Sequence, residues 1–387
     1  MRWKYLSKKR NIMQMFRYSK WDGSQEADFI NPKHLMDQLS DFILKHGVDL
    51  DTILQQTDLD ASSLEEEGYI KKVKGKFVLS PKGLKRMERK ALLEIFTSMK
   101  KDNYGNHESN FKGHSTIIQE ESKNYEFGDP LSNLDLNSTL KNSLRRTGLS
   151  IPIEMNREDF MVYESEAQPS CATILLLDMS GSMMRYGKFY KAKKVALALQ
   201  GLVQTQFPND RLYFIGFYSF ARELKIKDLP YIMPRPIRLF DSCIYLEVKK
   251  EDMKEYKGRI PEHFTNIHAG LRLSRKILSK ETCHNKQVML ITDGEPTAHY
   301  EGDTLCLIYP PNDRTTKETL REARKCKNEG IVINTFALID DYYYFDLANF
   351  VGRLTNVNRG RAFYPRSEEL GRYVLDDFVA SRRKMLW

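Results

Sequence analysis

The rhythm of hydrophobic and polar positions changes at Cys171. From there on, short runs that are apolar throughout alternate with longer segments in which apolar residues recur every three or four positions. Thr173–Leu177, Leu212–Phe217, Gln287–Thr292 and Val332–Leu338 read as strands, with Ala221–Ile226, Thr304–Tyr309 and Arg361–Phe363 as shorter or weaker ones. Lys188–Phe207, Ile267–Ser279, Thr316–Asn328, Phe345–Leu354 and Ser367–Arg382 read as helices between them. Val195, Ala198, Leu199 and Leu202 mark one side of the first. A strand with no polar alternation is covered on both faces, and strand–helix alternation gives parallel pairing. The expected fold class is therefore α/β, with a Rossmann-like, doubly wound and mostly parallel central sheet.

Upstream the pattern is broken into smaller pieces. Pro32–His46 carries Leu35, Leu39, Phe42 and Ile43 at helical spacing, with Gly47 as a stop. "YIKKV" and "KFVLS" flank Lys74-Gly75 as a short hairpin, and Ser80 before Pro81 caps the next helix. Helices, a lysine-bearing hairpin, then a helix is the order of a winged-helix module. Lys71, Lys72, Lys74 and Lys76 on such a wing would suit nucleic-acid contact, or a solvated wing used in protein contacts. Residues 101–134 are polar and read as a linker. Leu136, Leu140 and Leu144 restore helical spacing, and Ile151–Met155 with Phe160–Tyr163 read as a hairpin around "NRED". The expected organisation is a basic arm over 1–28, a helical, winged-helix-like region over 29–100, the linker over 101–134, a helix-and-hairpin extension over 135–170, and the α/β domain over 171–387.

Composition narrows the class. Of 387 residues, 41% are hydrophobic and 29% charged, which fits a globular chain with a real core rather than a disordered one. The apolar run Cys171–Leu177 is far too short to span a bilayer, and the charged start has no signal-peptide pattern. Five cysteines, Cys171, Cys243, Cys283, Cys306 and Cys326, are scattered and odd in number. That favours reduced thiols and a cytoplasmic location. The net charge of +9 is partly concentrated in residues 1–20, a basic arm suited to nucleic acid or anionic lipid, or simply to solvent.

The chemistry sits where the strands end. Ligands of open parallel sheets bind beyond the carboxyl ends of strands. Asp178 ends the first strand in "LLLDMSGSM", with Ser180 and Ser182 close behind. Asp293 ends another in "ITDGEP", and Thr265 in "HFTNIHAGL" sits just ahead of a helix. Residues 178, 180 and 182 in an extended turn would face one side, with Met179 and Met183 turned away and Gly181 allowing a bend. All five donors are oxygens, so a hard cation is implied, Mg²⁺ first and Mn²⁺ as the alternative. Three hydroxyls and two carboxylates leave such an ion short of negative charge, and a glutamate or aspartate of a partner protein would complete it. A nucleophile elbow is excluded because Ser180 lacks glycines two residues to either side. A P-loop is excluded because "DMSGSM" lacks the length and the lysine.

These three stretches resemble the von Willebrand factor A (VWA) domain with a complete metal-ion-dependent adhesion site (MIDAS), carried by Asp178, Ser180, Ser182, Thr265 and Asp293. The chain further resembles prokaryotic members of the CoxE and magnesium-chelatase D-like group, through "FRYSKWDGSQ", "FGDP" and "EDFMVYESEAQPS". The resemblance implies a six-stranded sheet and an adaptor that works with a MoxR-type AAA+ ATPase to remodel, activate or insert metal into a client, performing no chemistry itself. A nucleic-acid-binding regulator using the winged-helix-like region is the alternative. His263 and His268 are expected to pack or cap, as is the aromatic run Tyr342–Phe345. Glu295 and His299 are candidates to support the site from behind, and Leu229–Pro261 is expected to shape its rim.

Overall fold

The computed structural model describes residues 31–57, 61–102, 122–126, 134–148, 155–163, 170–237, 239, 241–253, 255–256, 258–283, 285–340 and 345–384. The expected basic arm over 1–28 lies outside them. Contacts divide the chain into two units, one made of Met1–His107 with Ser170–Trp387 and the other of Glu108–Pro169.

The first unit begins with α1 (Pro32–His46), α2 (Leu50–Thr57) and α3 (Ser62–Glu66). Asn31 caps α1 by accepting from the Lys33 amide at 3.0 Å, and Pro32 stands where no amide donor is needed. Gly47 ends α1 at φ 62°, and a Cβ there would lie 2.8 Å from the Tyr231 carbonyl oxygen, so both backbone and space demand glycine. β1 (Ile70–Val73) and β2 (Lys76–Leu79) pair antiparallel around Lys74-Gly75, as the sequence implies, with Lys71, Lys72, Lys74 and Lys76 exposed. The long helix α4 (Pro81–Asp102) follows.

In the second unit β3 (Ser122–Asn124) precedes α5 (Leu136–Thr147) and β4 (Met161–Tyr163). β3 pairs antiparallel with β4. The stretch read as linker therefore supplies a strand to this unit. The partner expected for β4, at 151–154, lies outside the described residues. Asp135 caps α5 by accepting from the amides of Asn137 and Ser138, each at 3.1 Å.

The first unit resumes with β5 (Cys171–Asp178), α6 (Lys188–Gln206), β6 (Arg211–Phe217), β7 (Ala221–Leu224), β8 (Ile244–Lys249), α7 (Ile267–Leu278) and β9 (Asn285–Thr292). Then come β10 (Ala298–Glu301), β11 (Thr304–Tyr309), α8 (Asp313–Asn328), β12 (Ile331–Ala337), α9 (Phe345–Asn358), β13 (Ala362–Phe363) and α10 (Leu370–Lys384). The main sheet has the order β13-β12-β9-β5-β6-β7, parallel except for β7 at one edge. Side chains of β5 alternate between two cores. Leu175 and Leu177 join residues of α6, α10 and the N-terminal helices, while Ile174 and Leu176 join residues of α7, α8 and α9. Each such aliphatic side chain removed from water contributes about 1.5–3 kcal/mol, which explains why the central strand carries no polar alternation.

One feature departs from the sequence reading, and a second settles a point the sequence left open. β8, β10 and β11 form a separate antiparallel sheet in the order β10-β11-β8, partly built from the segment expected only to shape a rim. The winged-helix-like region is not a free module: Met36, Leu39, Ile43, Met87 and Ala91 share one core with Leu175, Val195 and Leu199. Ion pairs from α6 reinforce that junction, Lys194 holding Glu94 and, at 3.4 Å, Asp41.

Candidate metal centre

Asp178 is the last residue of β5, between β9 and β6, and is fully buried. Its Oδ1 accepts from the Ser180 amide at 2.8 Å and its Oδ2 from the Thr292 hydroxyl at 2.6 Å. Thr292 ends the neighbouring strand β9, so sheet pairing itself aims the carboxylate. Burial pushes the Asp178 carboxyl well above the usual aspartate range, and the charge of Asp293 adds to the shift.

The turn after Asp178 is not extended. Ser180 has extended backbone angles, but Gly181–Gly187 is a run of 3₁₀ turns. The hydroxyls still meet, Ser180 Oγ lying 3.1 Å from Ser182 Oγ. Ser182 donates to Asp293 Oδ1 at 2.6 Å, and Met179 and Met183 are buried in the α6-side core. Gly181 is required by close approach: a Cβ there would overlap the Ile237 side chain. Residues 229–237 indeed border the loop, the Arg235 amide donating to the Met179 carbonyl at 2.9 Å.

Thr265 arrives from the loop ahead of α7. The Gly181 amide donates to the His263 carbonyl at 3.1 Å, tying this loop to the serine turn. Thr297 fixes Thr265 from both sides, accepting from its amide at 2.8 Å and donating its own amide to its carbonyl at 3.0 Å. The Thr265 hydroxyl lies 3.9 Å from where a Cβ on Gly294 would be. Four of the five sequence-derived residues are thus joined by hydrogen bonds or share an acceptor chain, and Thr265 stands beside Asp293 through Gly294.

Sequence reasoning missed Lys188. The first residue of α6, it places Nζ 3.0 Å from Asp293 Oδ2, with both side chains almost fully buried. Nothing in its spacing from Ser182 distinguishes it from the other lysines of "KFYKAKK". Thr292, the last residue of β9, and Thr297, just ahead of β10, were also missed, since a lone threonine beside a strand is unremarkable in sequence. The remaining candidates sit elsewhere. His268 lies on α7, accepts from the Tyr300 amide at 3.3 Å, and is pushed down to about 4 by burial, so it is a neutral packing residue. His299 is on β10, against Glu301 at 3.1 Å. Burial lowers His263 and raises Glu295, whose carboxyl also feels Asp346. Of the expected aromatic patch, 342–344 lie outside the described residues and Phe345 is exposed at the start of α9.

The family model for the Rv0959-like protein vWA domain matches residues 171–379. The chain belongs to the Rv0959-like vWA-domain family. A second model, for the third domain of the same proteins, matches residues 118–165, within the Glu108–Pro169 unit. The uncharacterized protein Rv0959 of Mycobacterium tuberculosis is 28% identical over 386 residues, which cover 94% of this chain and 53% of that protein. Mb0984 of Mycobacterium bovis matches to the same extent, so the chain spans about half the length of the curated relatives it matches. Among solved structures, the vWF domain of the pilus tip protein Mfa5 from Porphyromonas gingivalis has a TM-score of 0.39 at 14% identity, over 57% of this chain and 98% of that one. Manganese-loaded TRAP protein from Plasmodium vivax has a TM-score of 0.32 at 18% identity, over 54% of this chain and 72% of that one.

Asp178, Ser180, Ser182, Thr265 and Asp293 together offer two carboxylates and three hydroxyls, all oxygen, a set whose chemistry suits a hard divalent cation. Lys188 changes the electrostatics, because one of the two carboxylates already has a cationic partner.

Proposed function

We propose that the chain is a divalent-metal-dependent protein-interaction module in which Asp178, Ser180, Ser182, Thr265 and Asp293 hold Mg²⁺, with Mn²⁺ as a substitute. The observation that carries this reading is the hydrogen-bonded series Ser180–Ser182–Asp293 beside the buried Asp178 at the carboxyl ends of β5 and β9. A bound cation would supply Lewis acidity toward an incoming carboxylate. The chain's own residues orient the donors: Thr292 fixes Asp178, Thr297 fixes the Thr265 loop, and Ile237 packs on Gly181. The partner contributes an aspartate or glutamate. In this reading the protein catalyses no reaction.

We assign the partner as a MoxR-type AAA+ ATPase, its client, or both, in the manner of CoxE and magnesium-chelatase D-like proteins, acting in the cytoplasm. The resemblance of the flanking segments supports that assignment, and five free cysteines suit a reducing compartment. In a pull-down with a MoxR-type AAA+ ATPase, or with its client, capture in Mg²⁺ is expected to be lost with EDTA and with Asp178→Ala while the circular dichroism spectrum is unchanged. Capture that survives both treatments overturns the reading.

A further inference from the structure

A second cluster of metal-ligating side chains lies on the small sheet. β10 and β11 form a hairpin in which His299 faces Cys306 across the strands, and Glu301 follows His299 by two residues. Opposed residues, and residues two apart, share a face of an antiparallel sheet. One ligand atom from each of His299, Glu301 and Cys306 falls within 4.8 Å of the other two. His299 and Cys306 are buried, and Glu301 is partly exposed. The ring of His299 is underused: Nε2 meets Glu301 Oε1 at 3.1 Å, and Nδ1 has no hydrogen-bond partner among the described residues. A fully buried imidazole with an unpartnered nitrogen carries a cost of about 1–3 kcal/mol unless something further engages the ring.

The rest of the site is already held in place. Arg314, near the start of α8, grips Glu301 with Nε at 2.6 Å and Nη2 at 2.8 Å. It also reaches the Tyr245 hydroxyl and, at 3.3 Å, Glu247. Glu247 faces Cys306 from β8. Metal-ligating carboxylates are commonly oriented by such outer hydrogen bonds.

We propose that His299, Glu301 and Cys306 form a zinc-class binding site, separate from the oxygen-only centre at Asp178. One nitrogen, one oxygen and one sulfur select a borderline-soft ion such as Zn²⁺ over Mg²⁺. Tetrahedral coordination with these ligands needs separations of about 3.3–3.8 Å, so closure by roughly an ångström suffices. The Cys306 thiol releases its proton to solvent as sulfur binds. Three protein ligands leave one position for water or for Glu247.

Co²⁺ titration of the metal-free, reduced full-length protein tests this. The expected result is a stoichiometric near-ultraviolet thiolate-to-cobalt charge-transfer band, bleached by equimolar Zn²⁺. Cys306→Ala and His299→Ala should each abolish it at unchanged far-ultraviolet circular dichroism. Asp178→Ala should leave it intact, because an oxygen-only centre gives no thiolate band, so this test succeeds or fails independently of the Mg²⁺ reading. Should His299→Ala fail to fold, Glu301→Gln replaces it and should weaken Co²⁺ binding at least about tenfold. No band, or a band that persists in Cys306→Ala, overturns the proposal.

Discussion

At Asp293 both carboxylate oxygens are engaged, Oδ1 by the Ser182 hydroxyl and Oδ2 by the Lys188 ammonium. A divalent ion seated among the five oxygens must share Asp293 with that ammonium or displace it. Lys188 therefore lowers the negative charge offered to the metal while stabilising the metal-free fold. In Lys188→Met the stem volume is kept and the charge removed. Breaking a buried pair by deleting one partner costs about 3–5 kcal/mol, because the remaining charge is left in a poor solvent. The metal-free variant should melt lower than wild type, gain more in melting temperature from Mg²⁺, and bind Mg²⁺ more tightly by about tenfold, or ~1.4 kcal/mol. Scanning fluorimetry and calorimetric titration read both effects. A Mg²⁺-induced rise no larger than that of wild type would mean that ammonium and metal do not compete. The same residue marks a limit of sequence reading. The aspartates and hydroxyls were legible because strand ends and alternate spacing group them, but a lysine delivered by the next helix has no such marker.

Helix α6 is an element whose role its sequence only half discloses. The spacing predicted one buried side through Val195, Ala198, Leu199 and Leu202, yet Ala192, Lys193, Ala196, Leu197 and Val203 are buried as well. It lies between the main sheet and the N-terminal helices, and an element covered all round reads as weakly amphipathic. The central strands were legible for the complementary reason, since unbroken apolar runs have few other uses. β8 and β10 were not, because "IYLEVK" and "AHYE" are short, half-exposed and embedded in polar sequence. Lys193 shows what burial on α6 entails. Its Nζ donates to the carbonyls of Pro230 at 2.9 Å and Ile232 at 3.0 Å, with no carboxylate partner among the described residues. Desolvation pushes it down to about 7 from 10.5. Between those values the unfolded chain binds a proton that the folded one does not, so this group makes stability rise with pH over that window. Lys193→Met abolishes the effect. The difference in melting temperature, wild type minus variant, should therefore grow from pH 7 to pH 10. A constant difference would show that Lys193 stays charged in the fold.

On the scale of the whole molecule, the N-terminal helices and the vWA domain belong to one compact unit with a shared core. Leu39, Ile43, Ile53 and Met87 occupy the same core as Leu175, Val195 and Phe378, and Gly371 of α10 approaches the Ile95 side chain so closely that a Cβ would lie 2.8 Å away. Each large apolar side chain in that shared core contributes about 1.5–3 kcal/mol when buried, and a typical domain retains only 5–15 kcal/mol in total. Residues 170–387 expressed alone should consequently aggregate, or melt at least about 10 °C below the full chain, despite carrying the entire sheet and all five oxygen donors. Truncation also removes the Glu108–Pro169 unit, so the cause is isolated in the full-length protein by Gly201→Phe. A Cβ at Gly201 already stands 3.4 Å from the Glu88 Cβ on α4, and a phenyl ring there must push α4 away from α6. If the shared core is what stabilises the vWA domain, that single change reproduces most of the loss, with near-ultraviolet dichroism reporting loosened packing. A fragment that is monomeric and melts with the full chain, together with an unaffected Gly201→Phe, would show instead that the domain is stable without its N-terminal helices.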